Sequence, residues 1–415
     1  MGDAPRKALV GTRQSSALDT FGGRIHVEWD PAAAVTPLGP LPFFIEFLKV
    51  SGLFEAWAPM ARWPTTAPPR RIRARCSPPC GCRFSLATTA IRHDGIHPQL
   101  LGVAGFVSEE AARRALARID ESSGVAWLDR HLAKTPPPLL TTPGMLDLDA
   151  TGTCLYGKQD GAVVGYNPQK PGRPSHSYHS AWMANTRLAL AVDVLPGNET
   201  APLHRMPGFW AWLDALPKAE RPALLRGDLA YGRESVLREA EARAQPYLTK
   251  LPLTKNVTAL LKTRFRSTHW EEAGPGWDGG ADTRRLSGWS RTRRVIVLRR
   301  TLTGEMLMTA KDDEQELLAF MERDGPTTRD ESAVVGTATP YEILARAPRY
   351  RDRADAENNF DELKHQWGGG GCTTHDLARC WIMARMVALV YNGWTLFVRL
   401  AQPPKPFDAI SRRPL

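Results

Sequence analysis

Two hydrophobic periods run along the chain, and the change from one to the other divides it. In "LPFFIEFLKVSGLFEAWA" (41–58) and "VSEEAARRALARIDESSGVAWLDRHLA" (107–133), apolar residues recur at helical spacing. The second stretch opens at Ser108 with a capping residue followed by acids. Together they predict an all-α N-terminal domain over 1–135. "KTPPPLLTTPG" (134–144) cannot continue a helix, because proline has no N–H to donate and clashes with the preceding turn. The period then becomes two. "MLDLDAT" (145–151) reads as a half-buried strand, as does "RLALAVDVLPG" (187–197). "ALLRGDLAYG" (223–232) reads as a buried strand that ends in a turn. "FWAWLDALP" and "ESVLREAEARA" between and after them are helical, and 166–179 reads as a loop. Alternating strands and helices predict an α/β sheet over 136–247. Strand-like "RRVIVLRR" and turn-rich "GPGWDGG" then predict a β-rich insertion over 248–340. The chain returns to helix over 341–415 and closes with "HDLARCWIMARMVALVYNGWTLFVRLAQ" (375–402).

Composition narrows the class. With 415 residues, 42% hydrophobic and 24% charged, the chain is that of a soluble globular protein with room for more than one domain. Lys and Arg outnumber Asp and Glu by 54 to 44, a net charge of +10. The excess is concentrated in 250–304, where twelve Lys/Arg face four acids, with Trp270, Trp277 and Trp289 among them. Flat rings among cations suit unpaired bases and phosphates, so a polyanionic partner is expected. The apolar run 386–398 is too short to span a bilayer, and "MGDAPRKALVGTRQSS" lacks an apolar signal. No membrane partner is expected, and the location is cytoplasmic. Six cysteines in a chain this long fit a reducing compartment. Residues 61–83 stand apart, with six arginines, five prolines, no acids and no period. Cys76, Cys80 and Cys82, with His93, lack the paired spacing of structural zinc sites.

Candidate chemistry lies in the carboxylates. On the first strand a period of two puts Asp147, Asp149 and Thr151 on one face, where two acids repel unless a cation joins them. Asp228 ends the buried strand, the position at which α/β sheets build their sites. Over 350–364 a helical plot gathers Tyr350, Arg353, Glu357, Asp361 and Lys364 on one arc, beside an apolar stripe of Ala356, Phe360, Leu363 and Trp367. Glu362 falls on the far, solvated side. Taken singly, each Asp reads as a loop cap and Arg353–Glu357 as an ordinary ion pair of neighbouring turns. Taken together, Asp149, Asp228 and Glu357 form a set of hard oxygen donors suited to two Mg²⁺ ions in phosphoryl transfer.

The spacing Tyr350-x₂-Arg353-x₃-Glu357-x₆-Lys364 resembles the Tyr-Arg-Glu-Lys signature of bacterial insertion-sequence DDE transposases. "LDLDATGTCLYGKQDGAVVGYNPQKPGRPSHSYH" and "LLRGDLAYG" are similar to that family's two aspartate regions, at Asp149 and Asp228. The resemblance implies an RNase H-like catalytic core interrupted by a β-rich insertion. It implies Asp149, Asp228 and Glu357 as the metal-binding catalytic triad, with Mg²⁺ as cofactor and Mn²⁺ able to substitute. Tyr350, Arg353 and Lys364 then contact the DNA end. The implied reaction is cleavage at element ends and strand transfer into target DNA, by a homodimer on double-stranded DNA. The alternatives are a non-catalytic DNA-binding remnant and a nuclease without strand transfer. Lys170, Arg173 and His176 are further candidate DNA contacts by charge and proximity. Trp289, in the most basic stretch, is the candidate for holding a flipped base. Two departures from the family pattern are the segment 61–83, which reads like out-of-frame sequence, and "QWGGGGC" (366–372), with Gly369 and Cys372 where aromatics are expected.

Overall fold

In a computed structural model of the chain, the residues described are 15–28, 39–57, 96–106, 108–134, 144–165, 167, 170–184, 186–273, 276–303, 321–322, 328–337, 362–367 and 374–401. Segment 61–83, and Gly369 and Cys372 of the glycine run, lie outside them.

The fold is mixed α/β. Two antiparallel strands, β1 (Ser15–Thr20) and β2 (Gly23–Glu28), precede the first helix. The N-terminal region is therefore not all-α as the helical periodicity suggested. The turn between these strands uses Gly23 at φ 120°, which other residues rarely adopt. Lys49 of helix α1 (Leu41–Val50) ties the hairpin down, donating to Asp19 and to the Thr20 carbonyl, each at 2.9 Å. Further N-terminal helices follow at Leu53–Trp57 (α2), Ile96–Leu100 (α3), Glu109–Ala117 (α4) and Glu121–Lys134 (α5). Ser108 caps α4 by accepting from the Ala111 N–H, as the sequence suggested.

Next comes one large sheet. Its central strands are β3 (Met145–Cys154), β5 (Pro174–Met183), β6 (Leu188–Pro196), β7 (Leu224–Gly227) and β8 (Tyr247–Lys250), with the short β4 (Val163–Val164) at the edge. β3 pairs antiparallel with β5 and parallel with β7, and β7 pairs parallel with β8. The segment read as a loop over 166–179 is half strand. Ser175, His176 and Ser180 are polar yet at most 2% exposed, so no hydrophobic alternation marks β5.

The strands of the basic segment continue this sheet. β13 (Thr328–Thr337) pairs antiparallel with β8, then with β11 (Arg293–Thr303), followed by β10 (Asp278–Arg284) and β9 (Glu271–Glu272). β12 (Met321–Glu322) adds a short pairing on β13. The segment is inserted in sequence but continuous with the core in hydrogen bonding. Its "DGG" belongs to β10 rather than to a turn.

Helices cover both faces. Helices α6 (Met206–Ala215), α7 (Glu234–Ala242) and α8 (Lys255–Phe265) bury Phe209, Leu237 and Leu261 against Leu146, Leu148 and Leu225. On the opposite face α9 (Leu377–Ala401) packs with α1 and α5 over Tyr178, Trp182, Val192 and Val194. Helix α9 has the length and apolarity to cross a membrane, but it is a core helix here. Asn392 on it is fully buried and imitates a neighbouring strand, accepting from the Ala189 N–H at 2.8 Å and donating to its carbonyl at 2.7 Å. Arg385 on it pairs with Asp129 at 2.6 Å and Asp193 at 2.5 Å.

Candidate active site

The alternation of β3 decides where its acids go. Leu146 and Leu148 enter the core under α6, so Asp147 and Asp149 take the face covered by α9. Asp147 is not exposed to solvent and has found its cation. Arg226 Nε donates to its Oδ1 at 2.5 Å and Nη2 to its Oδ2 at 2.7 Å. A two-pronged pair of this kind fixes position as well as charge. It joins β3 to β7 at the register Asp147↔Arg226.

The last pair of that register is Leu148↔Gly227, and the next residue on each strand is a carboxylate. Asp149, midway along β3, and Asp228, the first residue after β7, therefore stand next to each other where the pairing of the two strands ends. Neighbouring strands lie about 4.8 Å apart. Asp149 is 7% exposed and Asp228 half-buried. Asp228 also shapes its own turn, its Oδ1 accepting from the Ala230 N–H at 2.9 Å. Three residues on, Tyr231 is fully buried and donates its hydroxyl to the Asp149 carbonyl at 3.2 Å. Its ring fills the space a side chain at residue 227 would need, since a Cβ on Gly227 would stand 2.7 Å from the Tyr231 Cβ. Burial, reinforced by the charges of Asp228 and Asp149, pushes the phenol well above its ordinary pKa, so it remains a donor. Arg226 and Tyr231 were both within quoted motifs, yet only the strand pairing gives them these parts.

Across β5, His179 stands opposite Ala150 and is 2% exposed. Burial pushes its pKa down to about 4, opposed by Asp193 and aided by Arg205 and His204. Its Nε2 shares a hydrogen bond of 2.8 Å with Ser177 Oγ.

The third carboxylate of the sequence reading, Glu357, lies outside the described residues, as do Tyr350 and Arg353. The chain is described again over Glu362–Gln366, a π-helical turn closed by the Trp367 N–H donating to the Glu362 carbonyl at 3.0 Å. Lys364 falls within this turn. Leu363 and Trp367 are buried against α9 on the face that carries Asp149, as the apolar stripe required. Glu362 departs from its expected solvated side. It is 7% exposed, 3.6 Å from Arg187 and 3.4 Å from the Tyr391 hydroxyl. The helical plot gives which residues share an arc, but not which segments pack over that arc, and here Arg187 and Tyr391 do.

The other candidates are dispersed. Lys170 and Arg173 are exposed. His176 is 2% exposed and its Nε2 lies 2.7 Å from the Asp160 carbonyl, so it anchors a loop and is not presented to a partner. Trp289 is half-buried, with the Arg293 guanidinium 5.0 Å from its ring centre. Arg293 in turn is 4% exposed and held by Glu234 and Glu241. The positive charge counted along 250–304 is thus partly neutralised inside the fold. Among the described residues, no group of three or more His, Cys, Asp or Glu forms a metal cluster.

A sequence comparison identifies the family. The profile of the family described as "Transposase DDE domain" matches residues 140–392, more than half of the chain. The chain belongs to the transposase DDE domain family. The matched span runs from just before β3 into α9 and contains Asp149, Asp228 and Glu357. No curated protein sequence matches it. Among solved structures, the piggyBac transposase synaptic complex with hairpin DNA aligns over 74% of this chain and 60% of its own, at 11% identity and a TM-score of 0.38. The chain thus spans less than two thirds of that protein.

Proposed function

We infer that this transposase cleaves DNA at the ends of its element and joins the freed ends to a target, through a metal site on Asp149, Asp228 and Glu357. The observation that supports the reading is the register of β3 on β7, whose last pair, Leu148↔Gly227, is followed in each segment by a carboxylate, Asp149 and Asp228. The donor set fits a divalent cation: two carboxylates are held at adjacent positions, while the third acid of the region, Asp147, is engaged by Arg226. Mg²⁺ or Mn²⁺ bound there would neutralise the attacking and leaving oxygens of phosphoryl transfer.

The chain's own residues supply the rest. The Asp147–Arg226 pair and the Tyr231 hydroxyl hold β3 against β7 and the turn that follows it, so the carboxylates need not reorganise on binding. Helix α9 and the Glu362–Trp367 turn close the same face and exclude water from beneath it. Tyr350, Arg353 and Lys364 would hold the phosphates of the DNA end, with Lys170 and Arg173 as outer cations.

Labelled DNA from the flanks of the gene, incubated with the purified chain and Mg²⁺ or Mn²⁺, tests this. Nicks at one defined position are expected, abolished by chelator and by Asp228→Ala. Products joined to a second DNA separate a transposase from a nuclease. Binding without cleavage would support the non-catalytic remnant instead, and nicks that survive Asp228→Ala would overturn the metal site.

A further inference from the structure

Beyond Cys154, β3 gives way to a loop that holds an aromatic ring in solvent. Tyr156 is 68% exposed, and two cations attend it. Lys170 Nζ donates to its hydroxyl and lies 5.2 Å from the ring centre; the Arg173 guanidinium lies 5.3 Å from it. The hydrogen bond to Tyr156 raises the Lys170 pKa, so the ammonium stays charged.

The local sequence builds this arrangement. Lys170-Pro171-Gly172-Arg173 is a tight turn in which the Arg173 N–H donates to the Lys170 carbonyl at 3.2 Å and Gly172 takes φ 76°. Proline then glycine at the two central positions is the signature of a type II turn, and it sets the two cations at its corners. Asn167, 7% exposed, fastens the turn to the strand. Its Nδ2 donates to Cys154 Sγ at 3.0 Å, and its Oδ1 accepts from the Lys170 N–H at 3.2 Å. On the other side the Leu155 N–H donates to the Pro174 carbonyl at 2.9 Å. The loop that follows is pinned by the Asp160 N–H to the His375 carbonyl at 2.7 Å and by His176 to the Asp160 carbonyl. An exposed ring whose flanking turn and strand are fastened in this way is preorganised.

We propose that Tyr156 is a stacking platform for an unpaired nucleobase of the DNA, with Lys170 and Arg173 taking the phosphates beside it. The proposal rests on the metal-site reading above, which brings DNA to this face. Tyr156 lies seven positions beyond Asp149, at most about 25 Å of extended chain, so a strand end at the carboxylates can reach the ring. A base offers its π-face whatever its identity, and flanking cations supply the charge such a platform uses.

The test measures binding by the full chain, without divalent metal, to a blunt duplex from the gene's flanks and to the same duplex with a frayed, unpaired end carrying 2-aminopurine. Wild type is expected to prefer the frayed end and to quench the probe. Tyr156→Ala should lose about tenfold on the frayed DNA and stay within about twofold on the blunt one. Tyr156→Phe keeps the ring and should bind as wild type. Lys170→Ala and Arg173→Ala should weaken both DNAs and lower the salt dependence of binding. Equal binding of frayed DNA by Tyr156→Ala and wild type, or equal losses on both DNAs, would overturn the platform. If the wild type also nicks DNA with Mg²⁺, that failure leaves the metal-site reading standing; a wild type that binds no DNA removes both.

Discussion

Replacing Arg226 by methionine strips the partner from a carboxylate that water does not reach. The side chains of Asp147 and Arg226 are each 1% exposed, joined by two hydrogen bonds of 2.5 and 2.7 Å in the middle of the sheet. Desolvating two charges is offset only while both are present. Removing one leaves the other buried without its counter-charge, at about 3–5 kcal/mol. That is a large share of the roughly 5–15 kcal/mol by which most proteins are stable. Exchanging both members, Asp147→Leu with Arg226→Met, removes the charges together and should be near neutral, within about 1 kcal/mol of wild type. Urea unfolding followed by circular dichroism, on wild type, both single variants and the double variant, completes a double-mutant cycle. The expected result is two severely destabilised single variants and a double variant much better than their sum. An Arg226→Met protein less than about 1 kcal/mol below wild type would refute the reasoning. So would a double variant as unstable as the two single losses added together.

Two further outcomes follow from buried groups near the same strands. His179 has a folded pKa of about 4, below the value of about 6.5 in an unfolded chain, so the unfolded state binds the proton first. Its contribution to stability is therefore present above pH 6.5 and lost as pH falls toward 4, about 2 kcal/mol between pH 7 and pH 5. Urea midpoints at those two values should differ less in His179→Gln than in wild type, and an unchanged difference would count against the assignment. Tyr231→Phe deletes the hydroxyl that donates to the Asp149 carbonyl and should cost about 1 kcal/mol, read by thermal unfolding. A variant as stable as wild type would show that this bond does not hold β3 to the turn after β7.

What the sequence determined by itself is local. The period of two in "MLDLDAT" puts Asp147 and Asp149 on one face whatever lies beside them, because alternation is a property of a single strand. The apolar stripe through Leu363 and Trp367, the core helix at 377–401 and the helices at 206–215 and 234–242 are legible for the same reason. The spacing Tyr350-x₂-Arg353-x₃-Glu357-x₆-Lys364 and the two aspartate regions pointed to the family that the comparison of residues 140–392 supports. What only the tertiary structure decided is pairing. Asp147 and Arg226 are 79 residues apart, and no local pattern says that β3 lies beside β7 or that its register joins those two residues. A slip of one residue would turn every side chain of the strand to the other face. Strand β5 escaped notice because it is buried on both faces, so its serines and histidines are enclosed with its apolar residues, where a half-exposed strand would have shown alternation. For the same reason His176 proved to be an anchor and Glu362 a buried acid: burial depends on what packs against a residue, which is set by segments far away in the chain.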